Sequence, residues 1–312
     1  MLVNREFGHE CASNSAPPAP QPPAPRVDPT ALKEIASGVY VITDRRVPLV
    51  PNIGIILGSG AALVVDTGMG PVNGQKVLDC AKKLAGGRPL IVTLTHFHPE
   101  HGFGAQAFKG AATIHYNRSQ RDELRAKGEG YLGMFKTFGP DVAAALEGTK
   151  LVEPDQVYEG TSASIDLGGR TVEFRTWGLA HTAGDQVVWL PQERILFTGD
   201  LAEERIFPIF PWFPPNDADI DAARWAQVLA ELISWNPAIV VPGHGDIGGA
   251  EILKAVRDYM VDLGQRVAAE RKAGKDADAI VASLGPKVRA EYPDWSAPEW
   301  IDFAIRYYST LS

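Results

Sequence analysis

An α/β architecture with a helical C-terminal tail is the fold class that this sequence predicts. Three observations carry it. Short apolar, β-rich runs alternate with amphipathic helical segments, and the order of strands with a helix occurs twice. Several of these runs end at a histidine or an aspartate, as α/β folds do where strand ends build a site. Residues 249–312 carry no strand pattern and read as three helices separated by "AGKD" and "YPDW".

The elements follow in order. The start, "MLVNREFGHECASNSAPPAPQPPAPRVDP", is rich in Pro, Ala and Ser and reads as a flexible segment over 1–30. It lacks the apolar stretch of a secretory signal. His9 and Cys11 belong to it, and neither is assigned a role. Strand-like texture begins near residue 36 with "GVYVITD", and "NIGIILGSGAALVVDTG" reads as a hairpin. "NGQKVLDCAKKLAGG" has helical spacing and stops at a glycine pair; Cys80 reads as a buried residue of that helix. "PLIVTLTH" is a buried strand, "GAQAFKG" a short helix and "ATIHY" another strand. "SQRDELRAKGEGYLGMFKTFGPDVAAALEG" reads as helical with glycine breaks. Short strands and turns follow to "ILFTGDL". Then come the amphipathic helix "DIDAARWAQVLAELISW" and the strand "AIVVPGHG".

Composition narrows the function. The 312 residues suit one large domain or two small ones, and 45% are apolar, enough for a sizeable core. The net charge of −8 argues against non-specific nucleic-acid binding. No apolar run reaches about 18 residues, so no membrane-spanning helix is expected. With two cysteines, Cys11 and Cys80, far apart, no disulfide framework is expected.

Chemistry concentrates in "TLTHFHPEHGFGA". His96, His98 and His101 are three of the seven histidines, and they fall within six residues beside Glu100. A strand leading into His96 and His98 would point both imidazoles to one side. Pro99 then turns the chain, so that Glu100 and His101 reach a second ion or the far side of the first. His181 in "GLAHTAGD", Asp200 in "ILFTGD" and His244 in "VVPGHG" bring further N and O ligands. Neutral imidazole with carboxylate suits zinc or iron, with manganese as a further option.

These segments, with "VVDTG" at Asp66, resemble the metallo-β-lactamase superfamily, whose signature is an HxHxDH motif with downstream ligands in this order. The resemblance covers about residues 36–248. It implies a four-layer αββα sandwich with a dinuclear site at the edge of its two sheets. It also implies a catalytic domain over 31–248, with 249–312 as a helical extension packed on it. Carried over by position, His96, His98 and His181 resemble the first metal site. Glu100, His101 and His244 resemble the second. Asp200 resembles the carboxylate that bridges them, and Asp66 a residue that orients a ligand histidine. The departure is Glu100 where the family has Asp. It moves the carboxylate by about 1.5 Å and leaves occupancy of the second position open. Two zinc ions are the expected cofactor.

The resemblance implies a hydrolase in which a metal-activated water attacks a carbonyl of a lactam, lactone or (thio)ester. Glu100 or Asp200 would carry the proton. No GxSxG is present. Two alternatives stand beside it: a mononuclear iron dioxygenase using His96, His181 and Asp200, and a glyoxalase II-like thioesterase. His115 reads either as a substrate contact or as a strand-end histidine. Phe207, Phe210, Trp212 and Phe213, in a proline-rich loop, form either a pocket wall or packing under the next helix. Tyr131, Met134, Phe135 and Phe138 offer a second wall. The substrate is thus expected to be small, bulky and partly apolar. The aromatic stripe from Trp300 to Tyr308 reads as packing, or as a contact in a homo-oligomer. The expected compartment is the cytoplasm, or the periplasm if a targeting segment has been removed.

Overall fold

The structure is a computed structural model and describes residues 23–211, 213, 218 and 220–311. The expectations for His9, Cys11 and Trp212 lie outside the described residues.

Among the described residues, twelve strands form two sheets. The first holds β1 (Leu32–Ala36), β2 (Val39–Ile42), β3 (Ile53–Leu57), β4 (Ala62–Val65), β5 (Leu90–Thr93), β6 (Thr113–Asn117) and β7 (Gln156–Tyr158), paired in that order. β1 to β4 are antiparallel, and β4 to β7 are parallel. The second sheet runs β12 (Ile239–Pro242), β11 (Ile195–Gly199), β10 (Val187–Leu190), β9 (Thr171–Arg175) and β8 (Ser162–Asp166). Here only the β11–β12 pair is parallel.

The two-residue period of a strand decides the layering. In β4, Ala62 and Val64 face one cluster, with α1 (Gly70–Ala85) and α3 (Arg118–Phe135). Leu63 and Val65 face the other sheet. In β10, Val187 and Trp189 face α5 (Ala222–Ser234) and the C-terminal helices, while Val188 and Leu190 turn inward. The result is an αββα sandwich. Strands buried on both sides read as continuous apolar runs, which is why "IGIIL", "ALVV" and "ILFTG" stand out in the sequence. Each buried aliphatic side chain contributes about 1.5–3 kcal/mol.

The C-terminal helices are α6 (Glu251–Lys272), α7 (Ala277–Glu291) and α8 (Trp300–Thr310). Tyr259, Leu263, Ile280, Ile301 and Ile305 share one core with Trp225 and Leu229 of α5. Trp300, Phe303, Tyr307 and Tyr308 pack against that core half-buried. No helix among the described residues is long and apolar enough to cross a membrane.

Four local expectations are corrected. β1 begins before residue 36; it is a largely exposed edge strand without alternation, so it leaves no apolar signature. α3 runs unbroken through Gly128, Gly130 and Gly133; Leu151 packs over Gly128, and tertiary contact overrides propensity there. "AQAF" forms a 3-10 turn instead of an α-helix. Cys80 is half-buried on α1, not fully buried, and partial burial pushes its thiol pKa up.

One close approach ties the outer layer to the ligand segment. A Cβ on Gly74 of α1 would lie 2.1 Å from the Gly104 carbonyl oxygen, three residues beyond His101. Replacing glycine by alanine within a helix gains about 1 kcal/mol of propensity. A clash with backbone cannot be relieved by a rotamer change, so it outweighs that gain. Gly74→Ala is therefore expected to destabilise the protein by about 1–3 kcal/mol, measured by denaturant unfolding.

Candidate metal centre

Three strand ends and two turns supply the site. β5 stops at Thr93, two residues before Thr95 and three before His96. His96 and His98 therefore converge through a loop, not through a continued strand. Pro99 opens the single turn α2 (Pro99–Gly102), which carries Glu100 and His101. Asp200 follows β11 and His244 follows β12, at the paired ends of two parallel strands.

His181 lies in a turn held by Asp185. The amides of His181 and Thr182 donate to Asp185 Oδ2 at 2.7 and 2.8 Å, and the Thr182 hydroxyl donates to Oδ1 at 2.6 Å. Glycine makes room for the central carboxylate. A Cβ on Gly243 would sit 1.9 Å from Asp200 Oδ1, so "PGHG" tolerates nothing larger there.

The side chains form two groups that share one member. His96, His98, His181 and Asp200 place their ligand atoms within 4.8 Å of one another. Glu100, His101, Asp200 and His244 do the same. His96 Nε2 and His181 Nε2 lie 3.6 and 3.9 Å from Asp200 Oδ2. His101 Nε2 and His244 Nε2 lie 3.3 and 3.8 Å from Oδ1. One carboxylate thus faces one group with each oxygen.

The polar bookkeeping shows that these residues fit metal ions. Both oxygens of Asp200, His96 Nε2, His101 Nε2 and Glu100 Oε2 are buried without a hydrogen-bond partner. Five orphaned polar atoms at one point would be costly. A metal cation would satisfy them, and nitrogen with carboxylate oxygen is a donor set suited to metal binding.

For His96, His101 and His244, the far side of the ring explains why Nε2 faces the carboxylate. His101 Nδ1–H donates to Asp66 Oδ2 at 2.9 Å, and His244 Nδ1–H donates to the Val50 carbonyl at 2.9 Å. His96 Nδ1 lies 3.1 Å from the Thr95 hydroxyl, which itself lies 2.9 Å from Asp66 Oδ2. The Thr95 amide also donates to Asp66 Oδ1 at 2.7 Å. Asp66 thereby orients one histidine of each group, directly and through Thr95. Its backbone sits at φ 67°, in the left-handed region that Asp adopts more readily than most residues.

Protonation follows the same geometry. Burial and neighbouring imidazoles hold His96 and His98 well below the usual histidine range, and burial takes His181 to about 4. These rings are neutral, the form that ligates. Burial opposes charge on His101, but Asp200 and Asp66 outweigh it and raise its pKa. Burial raises Glu100 to about 7. Asp200 stays ionised against burial because His101, His244 and His96 surround it.

The other named residues lie elsewhere. His115 points between the sheets and stacks on Tyr158 with rings 5.5 Å apart, beside Phe174. It does not join the ligand cluster. Phe207 packs on Tyr259, Tyr292 and Trp295, and Phe210 on Trp225, Tyr307 and Tyr308. Both are core packing, not pocket wall. Phe213 does approach the site. Its ring meets Tyr131 edge-on at 5.9 Å, and Tyr131 stacks on His98 at 5.0 Å. Sequence reasoning missed Thr95, Asp185 and Glu203. Glu203 is buried with Oε2 unpartnered, and burial and Asp200 push its pKa well up. Among these three, only Thr95 had a signal, as the residue directly before the first histidine.

A family model described as "Metallo-beta-lactamase superfamily" matches residues 46–244, well over half of the chain. The chain belongs to the metallo-β-lactamase superfamily. A metallo-beta-lactamase type 2 from Bacteroides fragilis is 33% identical over 101 residues, 32% of this superfamily member and only 39% of that enzyme. The human acyl-coenzyme A thioesterase MBLAC2 is 26% identical over 254 residues, 75% of this chain and 88% of the thioesterase. Among solved structures, the DIM-1 metallo-beta-lactamase superposes with TM-score 0.56 at 18% identity, covering 76% of this chain and 97% of DIM-1. The sec-alkyl sulfatase PisA1 superposes with TM-score 0.68 at 18% identity, covering 90% of this chain and 50% of the sulfatase. These superpositions show the shared fold.

Thr95→Val keeps the shape and removes the hydroxyl between Asp66 and His96. Metal affinity is expected to fall about 10- to 100-fold, measured by competition with a chromophoric chelator.

Proposed function

We propose that this chain is a dinuclear metal-dependent hydrolase, loaded with zinc, that cleaves acyl thioesters. The observation that carries the metal chemistry is Asp200, buried with one oxygen turned to each ligand group and neither oxygen hydrogen-bonded. His96, His98 and His181 would hold the first ion; Glu100, His101 and His244 would hold the second, with Asp200 between. Bound there, the ions would polarise a carbonyl and lower the pKa of a water.

The chain's own groups then have defined tasks. Asp66 and Thr95 fix the ligand rings. Hydrolysis adds water across the C–S bond, releases a carboxylic acid and a thiol, and requires one proton at the departing sulfur. Glu100 suits that transfer by position, because its buried Oε2 lies in the second ligand group without a hydrogen-bond partner. The stack of Tyr131 on His98, flanked by Phe213, offers an apolar face beside the ligands. That face supports an acyl group over a nucleic acid, as does the acidic net charge of −8.

The thioester is favoured over a lactam because the human thioesterase relative aligns over 75% of this chain and 88% of its own length, against 68% and 73% for the metallo-beta-lactamase of Bacillus cereus and 32% and 39% for that of Bacteroides fragilis. A mononuclear iron site using His96, His181 and Asp200 is disfavoured. It would leave His98, His101 and Glu100 buried at the centre without use.

Two measurements test this reading. The zinc-loaded protein is expected to turn over acyl-CoA faster than a chromogenic β-lactam, an aryl ester or a lactone, and His96→Ala is expected to abolish turnover. Activity surviving that change, or one iron per chain with oxygen consumption, would contradict the proposal. At the unusual glutamate, Glu100→Asp is expected to retain much of the rate, and Glu100→Gln to lose roughly 100-fold or more. A fully loaded, fully active Gln variant would remove Glu100 from the mechanism.

A further inference from the structure

His98 and His181 come from segments 83 residues apart, yet His98 Nδ1 and His181 Nε2 lie 3.4 Å from each other. Helix α3 joins these segments. Its Asn117 cap donates from Nδ2 to the Gly184 carbonyl at 3.0 Å. One turn on, Gln120 Nε2 donates to the carbonyls of Leu94 and Thr95 at 2.6 and 3.1 Å. The next turn carries Glu123, whose Oε1 accepts from the Ala183 amide at 3.1 Å and from Lys127 Nζ at 2.8 Å. Lys127 Nζ in turn sits 5.5 Å from the centre of the Phe97 ring. Phe97 separates His96 from His98, and its ring meets that of His98 at 5.0 Å.

An ion pair therefore spans the gap between two ligand segments. Its Glu123 end holds the turn after His181, and its Lys127 end lies over the residue between His96 and His98. The two side chains are 6% and 13% exposed. Surface i,i+4 pairs contribute little, but a buried pair that loses one partner leaves an uncompensated charge. The approach is also tight: a Cβ on Gly184 would lie 2.9 Å from Glu123 Oε2 and 2.6 Å from the Gln120 amide nitrogen. Ordinary core packing of α3 needs neither a charge at this depth nor a contact with both ligand segments.

We propose that the Glu123–Lys127 pair is a positioning strut that sets the spacing of His98 and His181 and so tunes the first metal position without touching it. The proposal rests on the two-ion reading above. Lys127 and Glu123 contact no second-group ligand in the hydrogen bonds and ring contacts of the described residues, so the effect is confined to the first group.

The test is a cobalt(II) titration of the metal-stripped full chain, followed by visible absorption. The phase lost in His96→Ala defines the first position. Glu123→Leu is expected to weaken that phase about 10- to 100-fold. The other phase should shift far less, because the pair meets the segments of His98 and His181. Glu123→Gln keeps an oxygen for the Ala183 amide and is expected to lose less than Glu123→Leu. Lys127→Met leaves the Glu123 carboxylate buried without its cation and is expected to lose as much as Glu123→Leu. If Glu123→Leu fails to fold, Lys127→Met decides by the same ratio of phases. Equal weakening of both phases, or unchanged phases with a lowered melting temperature, would overturn the strut and leave the metal centre intact. Absence of any cobalt phase in the unaltered chain would instead contradict the metal centre itself.

Discussion

The organising constraint is a carboxylate shut away from water. Asp200 is 3% exposed, and neither oxygen has a hydrogen-bond donor. Burying such an ion costs several kcal/mol unless the surroundings compensate. The compensation here is four imidazoles within 3.9 Å, two on each oxygen. Most of these rings are themselves held neutral by burial, so they cannot supply the missing positive charge. His101 is the exception in direction: Asp200 and Asp66 outweigh burial and push its pKa up. A metal cation held by these groups would supply the missing positive charge.

Much of the fold serves to keep that arrangement fixed. Parallel strands β11 and β12 end side by side, so Asp200 and His244 arrive together. Gly199 and Gly243 let the chain pass where any side chain would strike Thr95 or Asp200. The β2–β3 connection closes the other side. Val50 receives the His244 ring proton, and Asn52 donates to Pro242 and Gly245. Both sheets and α3 thus contribute a support to the same few atoms. This is what a site needing sub-ångström placement requires.

The sequence discloses these parts unevenly. His96, Asp200 and His244 are legible because they close apolar runs, and apolar runs mark central strands; His98, Glu100 and His101 are legible because they crowd beside the first of these. The α/β class is legible from the same runs, whereas the four-layer arrangement follows only from the resemblance that the ligand segments carry. β1 is not legible, because an exposed edge strand has no apolar face. Gln120, Glu123 and Asp185 are not legible either. Each is an ordinary polar residue whose role arises only when distant segments meet. The aromatic loop shows the limit most clearly. Phe207 and Phe210 became packing for the C-terminal helices, while Phe213 turned toward Tyr131 at the site. Composition alone cannot separate those outcomes, since a lid and a core wall draw on the same residues.

The central claim is that one carboxylate serves two metal positions. Native mass spectrometry of the zinc-loaded chain, unaltered and as Asp200→Ala, tests it most directly. The account predicts two ions on the unaltered chain and loss of tight binding at both positions in the variant. Retention of two ions by folded Asp200→Ala, or a single ion on the unaltered chain at saturating zinc, would contradict it.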